Sequence, residues 1–121
     1  MSHPIVHIEL SAKDHKEAGK FYSSVFGWEL REFPEMNYTT FSSGEDAVGG
    51  GFSPVSEEYP TGTVMVYINT DNLEATIKKI EANGGKLVTG KYEIPGVGHM
   101  ATFNDPTGNL VALLQPVEGG M

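Results

Sequence analysis

Apolar and polar residues alternate through Ile5-Val6-His7-Ile8-Glu9-Leu10. That period-two pattern predicts a strand with Val6, Ile8 and Leu10 on one face and Ile5, His7 and Glu9 on the other. The period then lengthens. Ala18, Phe21, Tyr22, Val25 and Phe26 recur at helical spacing and predict a helix with those side chains as its core-facing stripe. Asp14 opens it as an N-cap, with Glu17 completing a capping box. Gly27 closes it in the left-handed conformation that a side chain resists. Two or three further strands follow, near 28–32, 38–42 and 48–52, with turns at 33–37 and 43–46.

The polar, turn-rich stretch 54–62 reads as a linker, and after it the pattern repeats. Val64, Val66 and Ile68 alternate on a strand at 63–69. Asp71 and Glu74 form a second capping box, and Leu73, Ile77 and Ile80 stripe a second helix that Gly84-Gly85 ends. A short strand near 86–89 precedes two strands, near 100–104 and 110–115. These flank Asp105-Pro106-Thr107-Gly108-Asn109, a turn in which Asp opens, Pro fixes φ and Gly takes a positive φ. An isolated hairpin is marginal in water, so it requires a larger sheet. Both halves therefore run strand, capped helix, glycine, three strands. The expected fold is α+β, tandem βαβββ modules forming a curved mixed sheet around a cleft. A single domain spans 1–121, with module one at about 4–53, the linker at about 54–62 and module two at about 63–116.

Composition narrows the function. The chain has 121 residues, a formal net charge of -8 and no cysteine. One domain is expected at this length. The acidic balance and the absence of a Lys/Arg cluster argue against nucleic acid or an anionic membrane as partner. Thiolate nucleophiles, disulfides and cysteine metal sites are excluded. The first residues lack the basic and apolar regions of a signal peptide, and no apolar run reaches spanning length, so a cytoplasmic location is expected. Gly49-Gly50-Gly51 is not a phosphate loop, because it does not join a strand to a helix with a Lys. Three glycines there predict sheet curvature or close backbone approach.

Several motifs carry a resemblance. Val6-His7-Ile8-Glu9-Leu10, Phe21-Tyr22, Val25-Phe26-Gly27-Trp28, Gly84-Gly85-Lys86, Ile94-Pro95-Gly96-Val97-Gly98 and Asp105-Pro106-Thr107-Gly108-Asn109 are similar, in this order, to the vicinal oxygen chelate superfamily of glyoxalase I, bleomycin-resistance proteins and extradiol dioxygenases. The likeness covers nearly the whole chain and is greatest for single-domain glyoxalase-like proteins. It implies two modules round a shared cavity, often in a homodimer. In metal-dependent members it implies a divalent ion that chelates two neighbouring substrate oxygens, which suits Lewis-acid chemistry on hydroxy-carbonyl or catechol groups.

The ligand positions implied by that resemblance are mostly vacated here. His7 matches the first-strand position. The corresponding strand of module two presents Met65, or Val64 if the register slips by one, the last strand carries Ala112 where a Glu is expected, and Gly49-Gly50-Gly51 offers nothing. One imidazole does not hold a divalent ion against water. No cofactor is therefore predicted, with Fe, Mn, Ni or Zn retained only for an unusual site using Glu9 or His99.

The leading reading is a protein that binds a small organic molecule in the sheet cavity without the usual metal. Candidate ligand-binding residues are His7, Glu9, Met65, Tyr67 and His99. His7 supplies a base or hydrogen-bond donor, and Met65 and Tyr67 an adaptable apolar wall with one hydroxyl. The alternative is a lyase, isomerase or dioxygenase that uses an unusual metal or His7 as general base oriented by Glu9. A second alternative is a non-catalytic interaction domain. His3 and His15 read as solvent-facing, and Trp28 as packing between the modules.

Overall fold

A computed structural model of the chain describes residues 3–117. In order it contains β1 (Ile5–Ala12), α1 (His15–Phe26), β2 (Glu29–Phe33), a 3-10 turn (Pro34–Met36), β3 (Tyr38–Ser42) and β4 (Gly49–Pro54). There follow β5 (Val64–Asn69), α2 (Leu73–Ala82), β6 (Lys86–Ile94), β7 (Gly98–Asn104) and β8 (Leu110–Pro116). This is the α+β, tandem βαβββ order that the alternation and caps predict. The described residues divide into two compact units, one of residues 7–65 and one of residues 3–6 with 66–117.

In the first unit the strand order is β2-β3-β4-β1. β1 runs parallel to β4, with His7 opposite Gly49 and Glu9 opposite Gly51. β3 is antiparallel to both β4 and β2. Register places Ile8, Gly50 and Phe41 in one row, and Leu10, Phe52 and Thr39 in the next. These rows share the face that α1 covers, because side chains on paired strands keep a common side.

The helix meets that face differently from the expected stripe. Its buried residues are His15 and Gly19, whereas Phe21, Val25 and Phe26 are 56%, 56% and 61% exposed. The cause is close approach. A Cβ on Gly19 would lie 3.1 Å from Leu30 Cδ1 and 3.4 Å from Thr39 Cγ2, so the helix sits on the sheet along its smallest position. His15, expected in solvent, is turned inward, where its Nδ1 lies 2.6 Å from the Thr39 hydroxyl. Trp28 packs within this unit, its ring 4.9 Å from Tyr22 and 4.5 Å from Phe41. Tyr22 stacks in turn on Phe52 at 5.5 Å. The caps of α1 are as expected: Asp14 accepts from the Lys16 and Glu17 amides, and Gly27 takes φ 73°.

The second unit repeats the plan in the order β5-β8-β7-β6. β5 is parallel to β8, and β7 is antiparallel to β8 and to β6. Leu73, Ala101, Phe103 and Leu113 form its core, with Ile68, Ile77, Ile80 and Val111 packed against it. The α2 cap is Asn72, not Asp71, and its side chain accepts from the Ala75 amide. Two adjacent residues with capping chemistry compete here, and Leu73 must enter the core as the first helical residue, which fixes the cap at position 72. β6 is longer than the expected 86–89. It continues through register shifts between Leu87 and Thr89 and between Thr89 and Tyr92, so bulges carry it past the point where alternation is lost.

The turn between β7 and β8 is held by one carboxylate. Asp105 Oδ1 accepts from the Thr107 amide at 2.9 Å, the Thr107 hydroxyl at 2.9 Å and the Asn109 amide at 3.0 Å, and Oδ2 accepts from Asn109 Nδ2 at 2.9 Å. Led by the Asn109 bonds, these donors lower the Asp105 carboxyl from 3.8 to about 2. A carboxyl lowered by folding stabilises the native state above its ordinary pKa, and the contribution fades as pH falls through the native value. Asp105→Ala is therefore expected to lower the melting temperature at pH 7. The difference from wild type should persist down to about pH 4 and close towards pH 2 in a denaturation series.

Gly50 marks the other constraint. A Cβ there would overlap the Ile8 carbonyl oxygen and approach the Phe41 ring within 2.6 Å, whereas one at Gly90 meets nothing within 4 Å. Gly50→Ala is expected to cost about 3 kcal/mol in urea unfolding. Gly90→Ala should change stability by no more than about 1 kcal/mol, in the stabilising direction.

Candidate functional site

The face of the first unit opposite α1 carries the chemistry. Two rows compose it, His7 with Gly49 and Glu9 with Gly51 and Thr40. Tyr38, two residues before Thr40 on β3, shares that face. Its hydroxyl lies over Gly51, where an added Cβ would overlap it. From there the Tyr38 hydroxyl donates to Glu9 Oε2 at 2.8 Å and stands 2.9 Å from His7 Nε2. With the phenolic proton committed to the carboxylate, the Tyr38 oxygen is left as an acceptor facing His7 Nε2. The direct distance from His7 Nε2 to Glu9 Oε2 is 3.5 Å, so the phenol mediates the pair. The His7 and Glu9 side chains are 13% and 20% exposed: screened from bulk water, yet reachable.

A loop closes on the far end of this strand. Ser11, on the same face as Glu9, donates through Oγ to the Pro60 carbonyl at 2.7 Å, and its amide donates to the Thr63 carbonyl at 3.1 Å. The Thr63 amide returns a bond to Ser11 Oγ at 3.2 Å. Tyr59, held in this loop, has its hydroxyl pushed above the usual tyrosine value by burial and then by the Glu58 and Glu9 carboxylates. The loop thus brings a phenol into the field of Glu9. A cleft of about 320 Å³ at the start of α1 is lined by Lys13, Asp14, His15, Lys16, Pro34 and Asn37, and none of the sequence-predicted site residues lies in it.

Of those residues, His7 and Glu9 are brought together. Met65 and Tyr67, on one face of β5, are 5% and 9% exposed. Tyr67 is opposite Ala112 and Ala112 opposite Thr102, so within the second unit Tyr67 lies on the sheet face away from α2. His99 is opposite Gln115 and shares its face with Ala101 and Phe103, the side that α2 covers. His99 and Tyr67 therefore occupy opposite faces of their sheet. Tyr38 was not a sequence candidate. The signal for it was the glycine run on β4, read as sheet curvature or close backbone approach, whereas at Gly51 it is the Tyr38 side chain that approaches.

The residues present do not fit a divalent ion of the kind the resemblance implies. Among the described residues no group of three or more His, Asp or Glu side chains is placed to hold one. Gly49 and Gly51 offer no side chain beside His7 and Glu9, and position 112 presents a methyl group with 0% exposure.

Comparison with known proteins agrees with the fold. Residues 4–113 match the model of the Glyoxalase/Bleomycin resistance protein/Dioxygenase superfamily. The chain belongs to this superfamily. It is 34% identical over 113 residues to a glyoxylase-like domain-containing protein of Didymella fabae, covering 88% of each chain. It is 27% identical over 121 residues to the anthracycline biosynthesis protein DnrV of Streptomyces peucetius, covering 87% of this chain but 44% of that one, so the chain spans less than half of that relative's length. Among solved structures, a hypothetical protein of Bacillus halodurans superposes with a TM-score of 0.74 at 16% identity, covering 97% of this chain and 96% of that one. Among the described residues no helix is long and apolar enough to cross a membrane.

Titration of metal-free protein with Mn, Fe, Ni and Zn in a calorimeter is expected to give weak binding that His7→Ala leaves unchanged. Tight, stoichiometric binding lost in His7→Ala would place a metal centre at this face.

Proposed function

We propose that this superfamily member binds a small organic molecule at the polar face built by His7, Tyr38 and Glu9, without the superfamily's usual metal. The observation that carries the reading is the Tyr38 hydroxyl, 2.8 Å from Glu9 Oε2 and 2.9 Å from His7 Nε2. A hydrogen-bonded imidazole, phenol and carboxylate in a half-buried setting give a ligand a few fixed polar contacts, the usual arrangement by which a pocket orients what it holds. Met65, in the same unit, remains a proposed contact for the apolar part of a ligand. The names of these relatives, glyoxylase-like and anthracycline biosynthesis, point to small organic compounds as the class to screen.

A second reading follows from the same geometry. An imidazole tied through a phenol to a carboxylate is an oriented base, and His7 would abstract a proton from bound substrate with Glu9 stabilising the cation formed. On that reading the protein is a lyase or isomerase.

The test is a thermal-shift screen across aromatic, glycopeptide and keto-acid compounds, followed by assay of any hit for turnover. A ligand at a hundredfold excess over its Kd should stabilise the native state by about 2.7 kcal/mol. His7→Ala should reduce that shift and leave the melting temperature of the free protein within a few degrees. No shift with any class would sink the binding reading. Turnover abolished in His7→Ala, with binding only weakened, would select the enzyme.

A further inference from the structure

We infer that Tyr38 is a positioning residue for His7 and that Gly51 is the vacancy that makes this possible. The inference deepens the reading of this face as a ligand site, though its geometry stands apart from any ligand. Three facts carry it. The Tyr38 hydroxyl lies within hydrogen-bond distance of both His7 Nε2 and Glu9 Oε2, while these two are 3.5 Å from each other. Position 51 is opposite Glu9 on one side and Thr40 on the other, so any side chain there would point into the space between the two strands that carry the relay. A Cβ at that position would overlap the Tyr38 hydroxyl and ring carbons, with Cε1 at 2.8 Å.

The direction of the relay follows from donor chemistry. A carboxylate only accepts, so the phenolic proton goes to Glu9, the phenolic oxygen is left to accept, and His7 must present Nε2–H to it. The ring is thereby fixed in one orientation and one tautomer, with the Glu9 charge conveyed to it through the phenol. Tyr38 reaches across from β3 only because β4 has no side chain in the way. The larger neighbour Phe52, one residue on, is on the opposite face. Gly51 thus admits the relay by what it lacks.

The experiment is NMR of 15N-labelled protein without ligand, near pH 8, where an ordinary imidazole is neutral. The four histidines are assigned by single His→Gln variants. Wild type is expected to show His7 as the Nε2–H form, with that proton protected from exchange with water. Tyr38→Phe removes only the hydroxyl and should raise the exchange rate at least tenfold; Gly51→Ala should do the same, while Thr40→Val, on the same face, should not. A His7 found in the Nδ1–H form, or a protected Nε2–H that survives Tyr38→Phe with the circular dichroism unchanged, would overturn the inference. Tyr38→Phe decides the matter if Gly51→Ala does not fold. Because no ligand is present, failure here and failure of the ligand screen are separate outcomes.

Discussion

The first module is organised by how closely three strands come together at a stretch with no side chains. On one face, Gly50 lets the Phe41 ring lie against the β1 backbone; a Cβ would overlap the Ile8 carbonyl. On the other, Gly51 gives the Tyr38 hydroxyl its place. A strand of this kind loses the stabilisation of packed side chains and carries the entropic cost of glycine. What offsets the cost is supplied from both sides. The aromatic stack of Tyr22, Trp28, Phe41 and Phe52, with neighbouring centroids 4.5–5.5 Å apart, fills the helix face. The hydrogen-bonded relay fills the polar face. Each new bond there is worth only about 1 kcal/mol, so the relay is held by the fold more than it holds it.

That arrangement also explains where the sequence was readable. The strands announced themselves by alternation, and Asp14, Gly27 and the Asp105–Asn109 turn by local chemistry acting over a few residues. These signals are short-range, and they survived into the structure. The motifs carried the superfamily as well, since Phe-Gly-Trp and Asp-Pro-x-Gly-Asn sit at structural joints. The inward face of α1 was not readable. Hydrophobicity alone selected Phe21, Val25 and Phe26, but close packing selects by size, and Gly19 and His15 won the sheet side. The cap of α2 moved by one residue for a similar reason, because Leu73 at 0% exposure had to be helical and inside. Tyr38 was hidden more deeply. It meets His7 across 31 residues and Glu9 across 29, and nothing in either neighbourhood reports the other.

The two modules share a topology but have divided the chemistry between them. By register, the row Glu9, Gly51, Thr40 in the first corresponds to Tyr67, Ala112, Thr102 in the second. One step along, Tyr38 corresponds to Met100. The first set holds a carboxylate, a phenol and, beside them, an imidazole. The second has the Tyr67 phenol in place of the carboxylate and the Met100 thioether in place of the Tyr38 phenol, and Met100, Thr102, Ala112 and Leu114 are 3%, 1%, 0% and 0% exposed. This bears on the position where the superfamily resemblance calls for a Glu. Ala112 is not open to water but packed, and a carboxylate in its place would have to give up its hydration. In the first module the glycine at position 51, which corresponds to Ala112 itself, is what leaves room for a phenol to join the imidazole to the carboxylate.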